Sequence, residues 1–305
     1  MKRWSRFILY AGIIIAFGIA GTMIYVNQAV TTLAEQIYEP LQPEAHPPLI
    51  QQVDRARQDS DLGLEPFTML LLGVDERKQD RGRSDTIMLL AVNPAKESAL
   101  LFHIPRDTRT LIMGLGTEDK INHAYAFGGV AMSVQTVEHF LDYPIDYYVK
   151  VNMEGLVTII DSLGGIEVHN DLDFQYEGYK FDKGNLMLDG KKALAYTRMR
   201  FDDPKGDLGR NDRQREVMKA LFRQTLDWKG LSRFQVIMDE VGASVKTNLK
   251  LDKLKELLLD YRPAIKEIDT LEVKGSGQKI AGIYYYIVGE GMRRELQSTL
   301  QAYMR

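Results

Sequence analysis

Twenty consecutive residues without a charge, Phe7 to Val26, constrain this chain more than any other feature. Wound as a helix at ~1.5 Å per residue, they span the ~30 Å hydrocarbon core of a bilayer. Lys2, Arg3 and Arg6 precede the run, and neither Lys nor Arg follows it until Arg55. That asymmetry predicts residues 1–6 in the cytoplasm, residues 7–26 as a transmembrane anchor, and the rest of the chain outside the cell membrane. The run is longer than the ~7–15 apolar residues of a signal-peptide core, and no small-residue cleavage site follows it. A retained anchor is therefore expected, not a removed signal.

Residues 27–64 read as an extracellular stalk. Pro40, Pro43, Pro47 and Pro48 each fix their own φ and restrain the preceding residue, which imposes extended chain. A folded domain is expected over residues 65–305. Within it, Phe67–Gly73, Thr86–Val92, Ala99–Ile104, Tyr147–Val151 and Ile166–His169 are short apolar runs bounded by turn residues, hence strands. Glu267–Val273 and Ile280–Val288 read as two more. Val130, Val134, Val137 and Leu141 recur at helical spacing, and Met153–Leu163 is a helix closed by Gly164-Gly165. Arg213–Trp228, Leu251–Tyr261 and Glu290–Met304 complete the helices. Strands and helices interleave, which predicts a layered α/β sandwich around a mixed sheet.

The chain has no cysteine, so disulfides, thiol nucleophiles and Cys-ligated zinc are all excluded. A formal net charge of -3 gives no global field for nucleic acid, so any basic site is local. There is no HExxH, G-x-S-x-G, P-loop or G-x-G-x-x-G. His46, His103, His123, His139 and His169 are scattered without metal-ligand spacing.

Aspartates and arginines gather at the predicted strand ends: Gly73-Val74-Asp75-Glu76-Arg77, then Gly82-Arg83-Ser84-Asp85-Thr86, then Ile104-Pro105-Arg106-Asp107. If the first two strands are neighbours, Asp75 and Asp85 share one edge of the sheet. Two carboxylates there suit Mg²⁺, which takes one or two protein carboxylates with water and phosphate. Arginines beside such a metal suit a diphosphate, whose oxygens match the guanidinium fork. The same residues also serve as polar turns that solvate strand ends, and at this level both readings stand.

A second constellation lies further on. Ala195-Tyr196-Thr197-Arg198-Met199-Arg200 ends a helical stretch, and Asp207-Leu208-Gly209-Arg210-Asn211-Asp212-Arg213-Gln214-Arg215 follows. Arg198 to Arg215 carries a local excess of two positive charges and prefers Arg to Lys. That is the residue for phosphate recognition, although a solvated charged face is the plainer alternative.

With these motifs in order, the sequence resembles the LytR-CpsA-Psr family of cell-wall ligases. The blocks that carry the resemblance are GVDER, GRSDT, IPRD, KINHAYAFGG (Lys120–Gly129), DSLGGIEV (Asp161–Val168), YTRMR and GDLGRNDRQ. They run from about Phe67 to Arg215; the region after Val217 is less distinctive. The resemblance implies an α/β/α sandwich with an apolar lipid pocket beside the sheet. It implies a phosphotransferase that moves an anionic glycopolymer, with wall teichoic acid the first expectation, from a polyprenyl-diphosphate carrier to peptidoglycan through a phosphodiester. Asp75 and Asp85 are then expected to bind Mg²⁺. Arg83, Arg106, Arg198, Arg200 and Arg210 are expected to hold the diphosphate, with Arg77, Arg213 and Gln214 beside them.

The chemistry agrees with that expectation. Breaking a diphosphate with a sugar hydroxyl needs charge neutralised on the transferring phosphoryl group, and metal and arginines do this by position and electrostatics. The expected catalytic set is Arg106, Asp107, Arg198, Arg200 and Asp207, with Asp107 and Asp207 as candidate acceptors of the hydroxyl proton. Two other functions fit parts of the pattern: a lipid-diphosphate phosphatase with water as acceptor, and a non-enzymatic membrane-anchored regulator.

Overall fold

The computed structural model describes residues 35–41, 64–76, 82–226, 242 and 244–305 of the chain. The expected anchor and Arg77 lie outside the described residues. Among the described residues no helix is long and apolar enough to cross a membrane.

A six-stranded mixed sheet organises the fold, in the order β11 (Val245–Thr247), β6 (Tyr147–Asn152), β1 (Phe67–Val74), β2 (Ser84–Asn93), β3 (Ser98–His103), β12 (Ile268–Glu272). β1–β2–β3 is an antiparallel meander, whereas β6 joins β1 and β12 joins β3 in parallel. The central strands are near-continuous apolar runs because both sheet faces are covered. Leu70, Leu72, Ile87 and Leu89 face Val130, Val134 and Val137 of α1 (His123–Leu141) and Leu296 and Leu300 of α7 (Glu290–Met304). Met69, Leu71, Met88 and Leu90 face the opposite side, with Leu257 of α5 (Leu251–Leu259) and Ile265 of α6 (Arg262–Lys266). Each such fully buried side chain contributes about 1.5–3 kcal/mol. Phe140, 2% exposed on the first face, would cost about 3–5 kcal/mol if truncated to Ala.

A third cluster joins α2 (Met153–Leu163), β7 (Ile166–Asn170), β8 (Phe174–Tyr176), β9 (Tyr179–Phe181), β10 (Gly184–Leu188), α3 (Gly190–Arg198) and α4 (Asp207–Leu226). Phe174, Phe181 and Tyr196 stack at its centre. As expected, α2 ends at Gly164, whose φ of 84° needs no Cβ, and α1 carries the expected apolar stripe. α1 also begins earlier than the stripe indicates, with non-helical backbone at Gly129 inside it.

Three expectations change. Ile280–Val288 is not one strand: β13 (Ser276–Ile280) turns at Ala281-Gly282, with φ of 50° and 81°, into β14 (Ile283–Ile287). The hairpin β4 (Arg109–Ile112) and β5 (Thr117–Lys120) sits where no strand was read, its strands too short and polar to show a period. Residues upstream of Glu65 also enter the folded body. Tyr38 bridges Thr247 on the edge strand, Glu39 N–H donates to Thr247 O at 2.7 Å, and Ile37 is buried.

Candidate active site

A cavity of about 310 Å³ lies between the β1–β2–β6 face of the sheet and helices α2 and α4. Its body is apolar, built from Met69, Leu71, Met88, Val149, Leu221 and Phe222. Its polar end is formed by Asp75, Asp85, Arg198, Arg210 and Gln214. Five residues singled out from four separate motifs therefore meet at one mouth.

The local backbone explains the acidic pair. The β1–β2 ladder carries an irregularity after Gly73, and Asp75 N–H donates to Arg83 O at 3.2 Å. Gly82, at φ 69°, lies so close that an added Cβ would fall 2.0 Å from Asp75 O. Only glycine lets the chain turn back there, and the return brings Asp85 to the same sheet end as Asp75. Arg83 itself is exposed.

Arg106 follows β3 and donates from Nη1 to Asp85 Oδ1 at 2.8 Å. Burial opposes its charge, but Asp85, Asp207 and Asp107 together outweigh burial and hold the guanidinium above its ordinary pKa. Asp107 Oδ1 takes Lys120 Nζ at 2.7 Å, and Asp107 Oδ2 stands 3.9 Å from Arg106 Nε. Asp207, in the first turn of α4, pairs with Arg210 at 2.9 Å. Burial pulls the Arg210 pKa down, Asp207 opposes this, and neighbouring Arg106 adds to the lowering. Two partly desolvated guanidiniums that repel each other beside a cavity are suited to an anion.

Arg198 ends α3, lines the cavity and lies 3.8 Å from Glu177. Arg200 does not line the cavity; its guanidinium covers Phe201, which is 80% exposed, at 4.4 Å. Arg213 is turned to a different use from the diphosphate role expected for it. Its Nε donates to Tyr196 O at 3.0 Å, Nη2 to Met199 O and Nη1 to Asp203, while its plane lies over Phe174. It ties the loop after α3 onto α4, because the chain folds back over the helix there. Gln214, by contrast, reaches the cavity.

His103 and Lys120 were not foreseen as site residues. His103 is buried at the end of β3, with Nε2 3.1 Å from Gln214 Oε1. Burial, then Arg210 and Arg215, push its pKa to about 3, so the imidazole is neutral. The available signal was its position three residues before Arg106. Lys120 stands in the KINHAYAFGG block, and only the β4–β5 pairing brings it to Asp107.

Glu76 is taken by Lys150 at 3.1 Å, and among the described residues no three His, Cys, Asp or Glu gather as a metal cage. Asp75 and Asp85 remain as a pair of carboxylates, the set Mg²⁺ accepts when water and phosphate complete its octahedron.

A sequence profile of the LytR_cpsA_psr family matches residues 24–302, well past the stretch in which the motifs were recognised. A relative from Halalkalibacterium halodurans, named polyisoprenyl-teichoic acid–peptidoglycan teichoic acid transferase TagU, is 43% identical over 95% of this chain and 94% of its own. The TagU of Bacillus subtilis strain 168 is 46% identical over 82% of this chain and 85% of its own. The crystal structure of B. subtilis TagU superposes with a TM-score of 0.66 at 43% identity, covering 79% of this chain and 98% of that one.

Proposed function

This chain belongs to the LytR_cpsA_psr family, and on that premise we propose that it transfers a teichoic acid from a polyisoprenyl-diphosphate carrier to peptidoglycan. The observation that carries the reading is a cavity that joins an apolar body to an Asp–Arg mouth. A lipid diphosphate has the same two parts in the same order. The prenyl chain fits the space lined by Met69, Leu71 and Phe222, and the diphosphate meets Arg198, Arg210 and Arg106 at its end.

The residues then divide the chemistry. Arg106, Arg198 and Arg210 bind phosphate oxygens and hold the transferring phosphorus in place. Gln214, fixed by His103, adds a neutral contact. Asp75 and Asp85 would hold Mg²⁺, which supplies further neutralisation of phosphate charge. An acceptor sugar hydroxyl attacks the polymer-side phosphorus. The bond from that phosphorus to the carrier phosphate breaks, polyprenyl monophosphate leaves, and the hydroxyl proton passes to a carboxylate, Asp107 or Asp207. The phosphodiester to peptidoglycan is the product.

A single N-terminal transmembrane anchor over residues 7–26, with the catalytic domain outside the cell, completes the proposal. It confines the enzyme to the plane of its lipid donor and so raises effective concentration.

The test uses the full chain in liposomes with labelled polymer on polyprenyl diphosphate, with and without peptidoglycan, in Mg²⁺ or chelator. Expected is label joined to peptidoglycan with matching release of polyprenyl phosphate, abolished by chelator. Release without joined label would identify a phosphatase, and neither event would sink the enzymatic reading.

A further inference from the structure

The hairpin β13–β14 is not absorbed by the donor site, yet it is attached to it. Tyr286 N–H donates to Asp107 O at 2.8 Å, and Thr108 forms a bridge with Tyr286. β14 thus runs beside the Asp107–Thr108 backbone. The Tyr286 ring is buried and its hydroxyl donates to Val273 O at 3.2 Å, which anchors the hairpin in the core.

Two residues earlier on the same face, Tyr284 is 45% exposed. Its ring lies against Gly277 on the partner strand: an added Cβ there would stand 2.8 Å from Tyr284 Cε2 and from its hydroxyl. Backbone thus packs against the ring while nearly half of the residue remains open to water. Burial first, then the carboxylates of Asp107 and Asp207, push its phenol pKa upward, so both candidate proton acceptors stand near it.

Order along the site matters here. Asp85 lines the cavity, Arg106 binds Asp85, Asp107 follows Arg106, and the hairpin holds Asp107. Tyr284 is therefore tied to the arginine mouth through Asp107 and is not among the residues that line the apolar cavity. In phosphoryl transfer the entering and leaving oxygens are roughly in line across phosphorus. If the prenyl phosphate departs toward the cavity, the hydroxyl enters from the side of Asp107. A supported, half-exposed aromatic ring at that entrance suits the apolar face of a pyranose, with its own hydroxyl free to turn toward sugar oxygens.

We propose that Tyr284 is the platform on which the acceptor sugar stacks, so that its hydroxyl approaches the diphosphate from the side of Asp107. This rests on the transferase reading above.

The experiment compares the full chain with Tyr284→Ala, Tyr284→Phe and Tyr284→Trp. It measures KM for soluble peptidoglycan fragments, affinity for the polymer-bearing donor, and melting temperature. Tyr284→Ala is expected to raise the acceptor KM about three- to tenfold, the size of one aromatic contact. Donor affinity and melting should stay near wild type, and Phe and Trp should restore most of the KM. An unchanged acceptor KM in Tyr284→Ala overturns the proposal. Weaker donor affinity with unchanged acceptor KM also overturns it, because the ring would then lie under the donor's own sugar. Failure of Phe and Trp alongside Ala overturns it too, since the hydroxyl and not the ring would matter. Absence of any transfer by the wild-type chain would instead reject the underlying function, before any variant is compared.

Discussion

Arg106 and Asp85 are joined by a 2.8 Å bond from Nη1 to Oδ1, so one of the two acidic residues at the cavity mouth already shares its charge with an arginine. The anionic and cationic halves of the site are therefore coupled. Whatever neutralises Asp85 loosens Arg106, and a phosphate that draws Arg106 away leaves Asp85 to another cation. Arg106 and Asp85 are 20% and 32% exposed, so water moderates the coupling without removing it.

Replacing Arg106 therefore tests binding more than folding. Losing a charged contact to phosphate costs ~1.5–3 kcal/mol, or roughly 10- to 150-fold in donor affinity. Arg106→Ala should show that loss with little change in melting, because a partly exposed pair contributes only about 0–1 kcal/mol. Arg106→Lys should recover part of it, keeping the charge without the fork. Titration with a labelled polyprenyl diphosphate, alongside thermal melts, reads both. Strong destabilisation with intact affinity would make Arg106 a structural residue.

Asp75 and Asp85 should separate in a magnesium titration. Asp75→Asn should raise the Mg²⁺ needed for half-maximal turnover at least about tenfold, as loss of a metal-site group does. Asp85→Asn should do the same and also strengthen donor binding measured without metal, since it frees Arg106 for the phosphate and removes a carboxylate that repels it. Identical behaviour of the two variants in both assays would argue against the coupling.

Arg213→Ala should unfold what Arg198→Ala leaves standing. The Arg213 and Asp203 side chains are each 6% exposed, and removing one partner strands a buried charge. That typically costs 3–5 kcal/mol, or roughly 10 °C in a domain of this size. Arg198, 41% exposed, has no such burial. Differential scanning calorimetry of the two variants gives the contrast directly; equal melting temperatures would return Arg213 to the list of donor ligands.

Much of the site was readable because it is local. Asp75 directly follows β1 and Asp85 lies near the start of β2, and these neighbouring strands pair antiparallel, so their meeting needed no long-range information. The cavity was a different matter. It exists because α2 and α4 cover the same sheet face as β1, a packing no periodicity reveals. Arg210, Arg213 and Gln214 look alike as helix-spaced polar residues, yet only the fold-back of the loop after α3 decides that Arg213 serves Tyr196 O and Met199 O. The β13–β14 hairpin was missed because IYYYIV reads as the end of one apolar run. Ala281-Gly282, both at positive φ, held the turn signal.

Orientation is open to a direct check. Protease added to intact spheroplasts should remove the domain beyond Val26 and leave a short membrane-embedded fragment. Protection until lysis would contradict the charge asymmetry of Lys2, Arg3 and Arg6.

Acid stability should hide two opposing titrations. His103 is held down to about 3 by burial and by Arg210 and Arg215, against 6.5 for an ordinary histidine. Between these values the unfolded chain binds more protons, so His103 alone makes stability fall as pH drops through that window. Glu138, on α1, is pushed up from 4.5 to about 7 by burial, against the pull of the Ile145 N–H that donates to it at 2.9 Å. There the folded chain binds the extra proton, so Glu138 alone makes stability fall as pH rises from 4.5 to about 7. From about pH 4.5 to 6.5 the two slopes, each up to ~1.4 kcal/mol per pH unit, oppose one another. Glu138→Gln keeps the acceptor for Ile145 and removes the titration. Its stability relative to wild type should therefore climb by on the order of 1–3 kcal/mol between pH 4.5 and 7. Urea melts across that range measure the difference, and parallel pH curves for the two proteins would show that Glu138 is ionised in the folded state after all.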